Sequence, residues 1–478
     1  MKLSPALLRC AAAGGLLCAS QLTYGQGSLI PPGPPGPTMK TLAQIEPRTP
    51  INSLPVAITN SGAYYLTGNL AGLSGQNGVT VQADNVTLDL GGFTVLGTAG
   101  ALKGIALSGA RKNFVLRDGI ITGWSSGVDA ATGNNCFFDR LSISDNGGHG
   151  LVTGLNASVH DCSVHSNTGS GIVADGGTSL KDCLARSNQG PGITAGIGSQ
   201  VVACTASINV ANGFLVADSC VVRSCVAFNN SASGIVAGAD NVIEDCTALS
   251  NGAFGIQAGR GATLKSSTAR SNATEGIRVG AASKVSDCTS SFNTQAGFAV
   301  AAGSQLSGCT AAENKGAGVV AEDEVNILQC FASRNAQLGF SAGHDAHIMD
   351  SKAQSNSSGI LVGNRSTVRG CTVQGHSGNG ITISSECTVL QNDCKNNFNA
   401  RDAAGIRAVA VDNCIKENTV IANDRGISVE GEGNLIIRNN ASNNTLNYSF
   451  LTPQPMAGPI VTSTADVNFL NPWANLQY

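Results

Sequence analysis

Residues 150–212 consist of three successive segments of equal length: GLVTGLNASVHDCSVHSNTGS (150–170), GIVADGGTSLKDCLARSNQGP (171–191) and GITAGIGSQVVACTASINVAN (192–212). Each segment opens with Gly and an apolar residue, carries Cys at its thirteenth position and carries Asn at its eighteenth. Such self-similarity at a fixed period predicts a repeat protein, in which every segment forms the same structural unit.

The same pattern extends over most of the chain. The Gly–apolar pair recurs at this constant interval from Gly150 to Gly339, and at the same or slightly different intervals over the wider range from Gly104 to Gly426. Numbered from this Gly, apolar or small residues occupy positions 2, 4, 10, 13 and 15. Positions 2 and 4, and again 13 and 15, alternate as in a strand, and the step from 10 to 13 requires a bend.

These features predict an all-β fold, a right-handed parallel β-helix with about 21 residues per coil, roughly 16 coils and capped ends. Three short strands per coil stack on the next coil about 4.8 Å away. A leucine-rich repeat has a similar period but needs several Leu per unit and a helical segment. Leu is sparse in these segments, so the β-helix is the better interpretation.

Equal positions of successive coils lie above one another, so each recurring residue predicts a ladder. Stacked asparagines can pass amide hydrogen bonds from coil to coil, and we expect them to adopt the left-handed conformation at a bend. We expect Gly at position 1 to supply backbone freedom at another bend. The clearest predicted ladder residues are Asn167, Asn188, Asn209, Asn230, Asn251, Cys183, Cys204, Cys225 and Cys246.

The chain has 16 cysteines, most of them in one inward column. Neighbouring Cα atoms about 4.8 Å apart fall within disulfide range, but in-register parallel strands aim their Cβ bonds side by side. We therefore predict buried free thiols that act as small hydrophobic groups. Disulfides and a soft-metal site for Cu(I) are the alternatives.

The ends of the chain differ from the repeat. Residues 1–25 have the positive, apolar and small-residue regions of a secretory signal peptide, with acylation at Cys18 as an alternative processing. We assign 26–55 to a Pro/Gly-rich linker and extension, 56–103 to an N-terminal cap and first coils, 104–447 to the β-helix and 448–478 to an aromatic-containing C-terminal cap. The mature chain is expected to be secreted or at the cell surface, without a transmembrane segment.

The TLDLGGFTV segment (87–95), the Cys/Asn/Gly coils and the aromatic C-terminal segment resemble the bacterial secreted right-handed β-helix repeat proteins of the pectate-lyase-like superfamily. The resemblance covers about residues 40–478. It implies the fold, whereas members of this superfamily include lyases, hydrolases, epimerases, tailspikes, adhesins and proteins of no known activity. Function must therefore be argued from a site.

One candidate catalytic set lies in two stacked coils. Asp161 and Asp182 are neighbours at position 12, and the further candidates are His160, Lys181, His165 and Arg186. Two carboxylates beside basic groups could hold a cation or an acidic sugar, as a polysaccharide lyase or hydrolase requires. The alternative is an outward turn in which Asp accepts backbone N–H bonds.

Two further groups are candidates. Asp323, Glu324, His344, Asp345 and His347 supply oxygen and imidazole groups that could hold a divalent cation. The alternative is a solvated surface patch whose negative charge Arg365 neutralises. The long coil that begins at Gly380 contains an insertion with Asp393, Lys395, Arg401 and Asp402, which could form a functional loop or equally an accommodated bulge. Ca²⁺ is the one cofactor that these carboxylates suggest.

Composition favours a binding role over catalysis. Charged residues make up 12% of the chain, about half of the usual share. The net charge is −3, and the sequence has no basic domain of the kind that binds nucleic acid. Ten coils have no insertion that could wall an active site. We predict a non-catalytic extracellular or surface β-solenoid for adhesion or for binding polysaccharide or cell-surface matrix. The alternative is a polysaccharide lyase or glycoside hydrolase.

Overall fold

The computed structural model describes residues 44, 46–398, 402–454, 456–462 and 471–478. The regular elements of this part of the chain are short β-strands, which fall into three parallel stacks called here the first, second and third faces. The first face comprises Val56–Ile58, Val79–Val81, Lys103–Leu107, Ser126–Asn134, Leu151–Leu155, Ile172–Ala174, Ile193–Ala195, Phe214–Val216, Ile235–Ala237, Ile256–Ala258, Ile277–Val279, Phe298–Val300, Val319–Ala321, Leu338–Ala342, Ser358–Val362, Ile381–Ile383, Ala404–Ala408, Arg425–Val429 and Leu446–Phe450.

The second and third faces share two long strands and are otherwise separated by a bend within each coil. The shared strands are Val115–Thr122 and Phe137–Ser144. The second face further comprises Thr49–Ile51, Gly62–Leu66, Val86–Asp89, Ser158–His160, Ser179–Lys181, Gln200–Val202, Val221–Arg223, Val242–Glu244, Thr263–Lys265, Lys284–Ser286, Gln305–Ser307, Asn326–Leu328, His347–Met349, Thr367–Arg369, Thr388–Leu390, Cys414–Lys416 and Leu435–Ile437.

The third face comprises Leu70–Ala71, Thr94–Leu96, Ser163–His165, Leu184–Arg186, Thr205–Ser207, Val226–Phe228, Thr247–Leu249, Thr268–Arg270, Thr289–Ser291, Thr310–Ala312, Phe331–Ser333, Lys352–Gln354, Thr372–Gln374, Asp393–Lys395, Thr419–Ile421, Asn440–Ser442 and Asn475–Gln477. Its last strand also pairs with Ile460–Val461. All strand pairs between neighbouring coils are parallel, and Ile172 pairs with Ile193, its counterpart one period later. The predicted parallel β-solenoid is confirmed.

The solenoid has about 19 turns rather than the predicted 16. Three coils lack a regularly spaced Gly–apolar marker. Pro55 and Asn447 occupy position 1 in two of them, and the interval from Gly78 to Gly104 exceeds the usual period in the third. The predicted inward positions 2, 4, 10, 13 and 15 are buried, as Ile172, Ala174, Leu180, Cys183 and Ala185 illustrate. A further inward row at position 8, including Thr178, Ser199 and Cys220, has no single residue type and was not predicted.

The ladder asparagines are buried between the third and first faces and bond in series. The Asn188 side-chain amide donates to Asn209 Oδ1 at 3.1 Å and to the Val164 carbonyl at 3.1 Å, while the Asn188 backbone N–H donates to the same Asn209 oxygen at 3.0 Å. The expectation that these asparagines are left-handed is wrong. The left-handed residues directly precede them, as at Ser187, where φ is 55°.

The reason for Gly at position 1 also differs from the expectation of a bend. Gly171 does not have positive φ. A Cβ atom there would instead lie 2.6 Å from the Gly192 carbonyl oxygen and 2.8 Å from Asn188 Nδ2. Glycine is therefore required because the next coil and the asparagine ladder leave no room for a side chain.

The cysteines of the described chain are free, and all except the half-buried Cys414 are buried. Their Sγ atoms lie near backbone carbonyl oxygens, as in Cys183, whose Sγ is 3.4 Å from the Val159 oxygen of the preceding coil. Burial raises the pKa of the Cys371 thiol to about 12 and that of Cys394 well above its usual range. The prediction of stacked thiols in the core is confirmed.

The C-terminal segment of the described chain packs on the last coils. At the C-terminal end, Tyr448 donates a hydrogen bond to the Leu476 carbonyl at 3.0 Å, and the Arg438 guanidinium lies 5.1 Å from the centre of the Trp473 ring. The predicted signal peptide, and residues 26–43 and 45 of the predicted linker, lie outside the described residues. Within the described ranges, no helix has the length and apolarity needed to cross a bilayer.

Candidate functional site

The first predicted set of residues is brought together by the strand register. His160 pairs with Lys181 on the second face, and His165 pairs with Arg186 on the third. Asp182 lies between the two faces in the left-handed conformation, with φ of 54°, and its carboxylate is 3.7 Å from Lys181 Nζ. Asp161 occupies the same bend one coil earlier, with φ of 50°.

Asp161 forms one wall of a groove that extends toward the N-terminal end. We call this the bend groove, because it follows the bend between the second and third faces. Its volume is about 620 Å³. The residues that line it are Asp89, Gly91, Gly92, Asp118, Gly119, Ile120, Arg140, Leu141, Ser142 and Asp161. Sequence reasoning missed Asp118 and Arg140, because the coils that contain them depart from the regular period.

The charged groups of the bend groove largely bond to one another. Arg140 donates from Nε to Asp118 Oδ1 at 2.7 Å and from Nη2 to Asp118 Oδ2 at 3.0 Å, and it also contacts Asp139. Arg117 donates to Asp89 Oδ2 at 3.0 Å. The hydrogen bonds that Arg140 donates to Asp118, and then the charges of Asp118, Asp139 and Asp161, raise the pKa of Arg140. The guanidinium groups are therefore already occupied by protein carboxylates.

Asp161 is the exception among these acids. Within the described part of the chain, its exposed carboxylate makes no hydrogen bond or ion pair. It faces the same groove as Arg140, whose pKa it helps to raise. A carboxylate in this position is free to accept a hydrogen bond from a molecule in the groove.

The second predicted group also engages neighbouring coils. Asp323 Oδ1 accepts the His344 backbone N–H at 2.7 Å, and His344 Nδ1 accepts the Asn364 backbone N–H at 3.0 Å. Arg365 donates two hydrogen bonds to Asp345, at 2.9 and 2.7 Å, and these lower the pKa of that carboxyl group. Asp323 and His344 thus each bond the backbone of the next coil, and Asp345 bonds a side chain of the next coil.

The remaining two members of that group point elsewhere. Glu324 is in the left-handed conformation at the adjoining bend, and His347 is exposed on the second face. Among the residues described by the structure, no three or more His, Cys, Asp or Glu side chains are arranged to hold a metal ion.

The described members of the third predicted group form two separate ion pairs. Lys395 Nζ lies 2.8 Å from Asp393 Oδ2, and Arg425 donates to Asp402 at 2.6 Å. Arg401 lies outside the described residues. The first pair lies within one strand, and the second joins the insertion to the next coil.

A second groove, which we call the face groove, runs along the outer side of the first face across four coils. Its volume is about 800 Å³. Its floor consists of the outward residues Gln257, Arg278, Ala299 and Val320, and its rims include Gln295, Lys315, Gln337 and Glu322. Sequence reasoning missed this groove, because outward positions carry no recurring residue type.

Part of the face groove is fixed by internal contacts. Arg278 donates to the buried Glu275 carboxylate at 2.6 Å, and its guanidinium lies 4.9 Å from the centre of the Phe254 ring. Glu322 accepts the Ala302 backbone N–H at 3.1 Å. The side chains of the exposed rim residues Gln295, Lys315 and Gln337 make no hydrogen bond or ion pair within the described chain. They offer amide and ammonium groups to a molecule in the groove.

Comparison with known proteins identifies the fold. A family model described as "right handed beta helix region" matches residues 56–206, 196–331 and 258–399. No curated protein sequence matches the chain.

Solved structures with a similar fold include the A-module of a mannuronan C-5 epimerase from Azotobacter vinelandii, which is 15% identical with a TM-score of 0.34 over 70% of this chain and 86% of the other. A periplasmic alginate epimerase is 12% identical with a TM-score of 0.30, over 71% and 77% of the two chains. The catalytic domain of a GH87 α-1,3-glucanase is 11% identical with a TM-score of 0.23, over 72% and 60%. At these identities the likeness concerns the fold alone.

Proposed function

The chain belongs to the right-handed β-helix family, and from that premise we propose that it is a non-catalytic extracellular or surface β-solenoid that binds polysaccharide or another matrix polymer. The face groove carries this proposal. It crosses four coils that repeat about every 4.8 Å, and it presents the unpaired polar groups of Gln295, Lys315 and Gln337 along its rim. A groove built from repeated steps suits a polymer built from repeated units.

Two features support binding rather than turnover. The face groove contains two carboxylates from different coils, of which Glu275 is hydrogen-bonded to Arg278 and Glu322 accepts a backbone N–H. Arg140 in the bend groove, and Arg117 beside it, are held by aspartates, so neither guanidinium is free to bind a substrate carboxylate. Regularly spaced hydrogen-bonding groups can bind a polymer, whereas acid–base catalysis also requires a positioned proton donor and a positioned proton acceptor.

Binding can be tested with the purified protein on a panel of soluble polysaccharides by isothermal titration calorimetry. We expect one of them to bind, and we expect the double variant Gln295→Ala/Gln337→Ala to weaken that binding about tenfold, since each lost hydrogen bond contributes about 0.5–1.5 kcal/mol. The control is Gln354→Ala/Gln374→Ala, which removes two amides from the third face. Absence of binding to every glycan, or equal loss in both double variants, would overturn the proposal.

The free carboxylate of Asp161 in the bend groove favours a second candidate function, a polysaccharide-acting enzyme. A lyase of acidic glycans or a glycoside hydrolase would use Asp161 and Asp182, with Ca²⁺ as a cofactor of the lyase. The assay incubates the protein with pectate, alginate and glycosaminoglycans, with and without Ca²⁺. It then measures unsaturated products, which a lyase forms, and new reducing ends, which a hydrolase forms. Product formation that Asp161→Ala abolishes would replace the non-catalytic proposal, whereas intact glycans throughout would exclude these substrates.

A further inference from the structure

The core contains two uninterrupted columns of cysteines at position 13 of the coil, separated by one coil in which Ser267 occupies that position. We call them the column of five and the column of three. Their members are Cys162, Cys183, Cys204, Cys225 and Cys246, and then Cys288, Cys309 and Cys330. All eight are buried, with exposed fractions of 3% or less. The outward grooves play no part in this arrangement.

The cysteine side chains have the same conformation in every coil of the two columns. In the column of five, each Sγ atom lies between 3.1 and 3.3 Å from the carbonyl oxygen two residues earlier in the chain. In the column of three, the same distance is between 3.2 and 3.4 Å. Because this contact repeats, the sulfur atoms repeat with the stacking of the coils, at a spacing of about 4.8 Å.

This spacing matches two metal–thiolate bonds in a line. Such a bond is about 2.3 Å long, and an ion midway between two stacked sulfurs would lie about 2.4 Å from each of them. Two ligands on opposite sides are the coordination that Cu(I) and Ag(I) prefer, and thiolate is the soft ligand that selects such ions. A site of this kind needs two sulfurs, and so it does not depend on a group of three or more ligands, which the described residues lack.

Charge balance favours a monovalent ion, because uncompensated charge in an apolar core is costly. Five stacked thiols leave four gaps. If each gap takes one monovalent cation and each cation displaces one thiol proton to the solvent, the filled column carries no net charge. Divalent ions in the same gaps would leave a large positive charge in the core. Zn²⁺ would also require about four ligands in a tetrahedron, which a single column does not supply.

We propose that the two cysteine columns bind monovalent thiophilic cations, Cu(I) or Ag(I), with one ion in each gap between two stacked cysteines. Each ion forms a bond to the sulfur on either side of it and replaces one S–H proton, so no atom is oxidised or reduced. Ser267 and Ser351 interrupt the columns, since a hydroxyl oxygen is a poor ligand for a soft ion. The ions enter when neighbouring coils separate by local opening.

The test counts bound silver ions on the full chain by native mass spectrometry. The folded protein is incubated with Ag⁺ in chloride-free buffer with urea below the unfolding transition, which promotes local opening. Cys204→Ser divides the column of five into two pairs, so the count should fall by two. A pH-stat should record one proton released for each ion bound.

Ser267→Cys tests the same proposal by a gain of binding. The Ser267 hydroxyl already makes the repeated contact, since its Oγ lies 2.9 Å from the Lys265 carbonyl oxygen. A sulfur at this position would join the two columns and create two new gaps, so the count should rise by two. This variant keeps the test decisive if Cys204→Ser fails to fold.

Cys371→Ser is the matched control. Cys371 is buried at position 13 and its Sγ lies 3.3 Å from the Arg369 oxygen, but its stacked neighbours are Ser351 and Asn392. The silver count should therefore not change. An equal loss in Cys204→Ser and Cys371→Ser would show that single thiols bind the ions, and an unchanged count in Ser267→Cys would show that stacking does not create a site. Either result would overturn the proposal, as would Zn²⁺ binding as tightly as Ag⁺.

Discussion

The Nδ1 atom of His376 accepts the backbone N–H of Asn356 at 3.0 Å, in the place where an asparagine oxygen serves in other coils. The imidazole is buried, and its Nε2 atom has no partner within the described chain. This bond requires Nδ1 to be unprotonated. The histidine therefore continues the asparagine ladder only in its neutral form.

Acid should destabilise the fold through His376. Burial lowers the pKa of this histidine from 6.5 to about 4, so between these values the unfolded chain binds the proton more tightly. Stability is then fully present above pH 6.5 and falls as the pH drops toward 4, by about 3 kcal/mol at most. Urea unfolding at pH 7.5 and 4.5 should show a smaller acid loss for His376→Asn than for the parent chain. An unchanged acid loss in this variant, with His347→Asn as the exposed control, would contradict this role.

Removal of one ladder amide should cost more than an ordinary polar substitution. The Asn230 side chain donates to Ala206 and Asn251 oxygens at 3.0 and 3.1 Å, and it accepts both the backbone N–H and the side-chain amide of Asn209. Asn230→Ala leaves buried groups without partners, so we expect a loss of about 3 kcal/mol in the free energy of unfolding. Ser231→Ala, at the exposed neighbouring position, should change it by less than about 0.5 kcal/mol. Similar losses in the two variants would show that the ladder is not the cause.

Two glycines should respond differently to alanine because different constraints act on them. A Cβ on Gly234 would lie 2.6 Å from the Gly255 oxygen and 2.7 Å from Asn251 Nδ2, whereas Gly303 has φ of 68° and open space around it. Overpacking makes Gly234→Ala cost about 2–3 kcal/mol, and left-handed strain makes Gly303→Ala cost about 1–2 kcal/mol. Thermal unfolding of both variants provides the comparison. A milder effect at Gly234 than at Gly303 would argue against close packing at position 1.

Thiol reactivity should separate Cys414 from the core cysteines. Cys414 is half-buried, while Cys371 is buried and its pKa is raised to about 12, so its reactive thiolate is scarce near neutral pH. Among the cysteines that the structure describes, we expect one fast-reacting thiol with Ellman's reagent in native buffer, which Cys414→Ser removes. In denaturant without reductant, all core cysteines should react. A markedly lower count in denaturant would indicate disulfides and contradict the stacked free thiols.

The fold could be predicted because inward positions repeat their chemistry. Cys183, Asn188 and Ile193 recur at the same interval, and the strand register follows the same period. The reasons for some residues could not be read from the period. Glycine is required at position 171 because a carbonyl oxygen of the next coil leaves no room for a side chain, and not because of the φ of Gly171. The left-handed residue at the neighbouring bend is Ser187 rather than Asn188.

The candidate sites were harder to predict, because ligands meet outward positions that vary from coil to coil. Asp161 was identified because it repeats at Asp182, but its groove partners Asp118 and Arg140 belong to coils of irregular length. Gln257, Arg278 and Lys315 share no residue type and become one surface only when the coils stack. The repeat period therefore does not predict which residues line a groove when each coil contributes a different type of side chain.

The strict register between Gly150 and Gly339 has a consequence for how this chain can change over generations. Each coil contacts mainly the coils directly before and after it. Excision of residues 213–233 would join Asn212 to Gly234 and leave the next coil in the same register as the one removed. Unequal crossing-over between the repeats of the gene would therefore add or delete whole coils in frame, and yield rods of different length without a new core having to evolve.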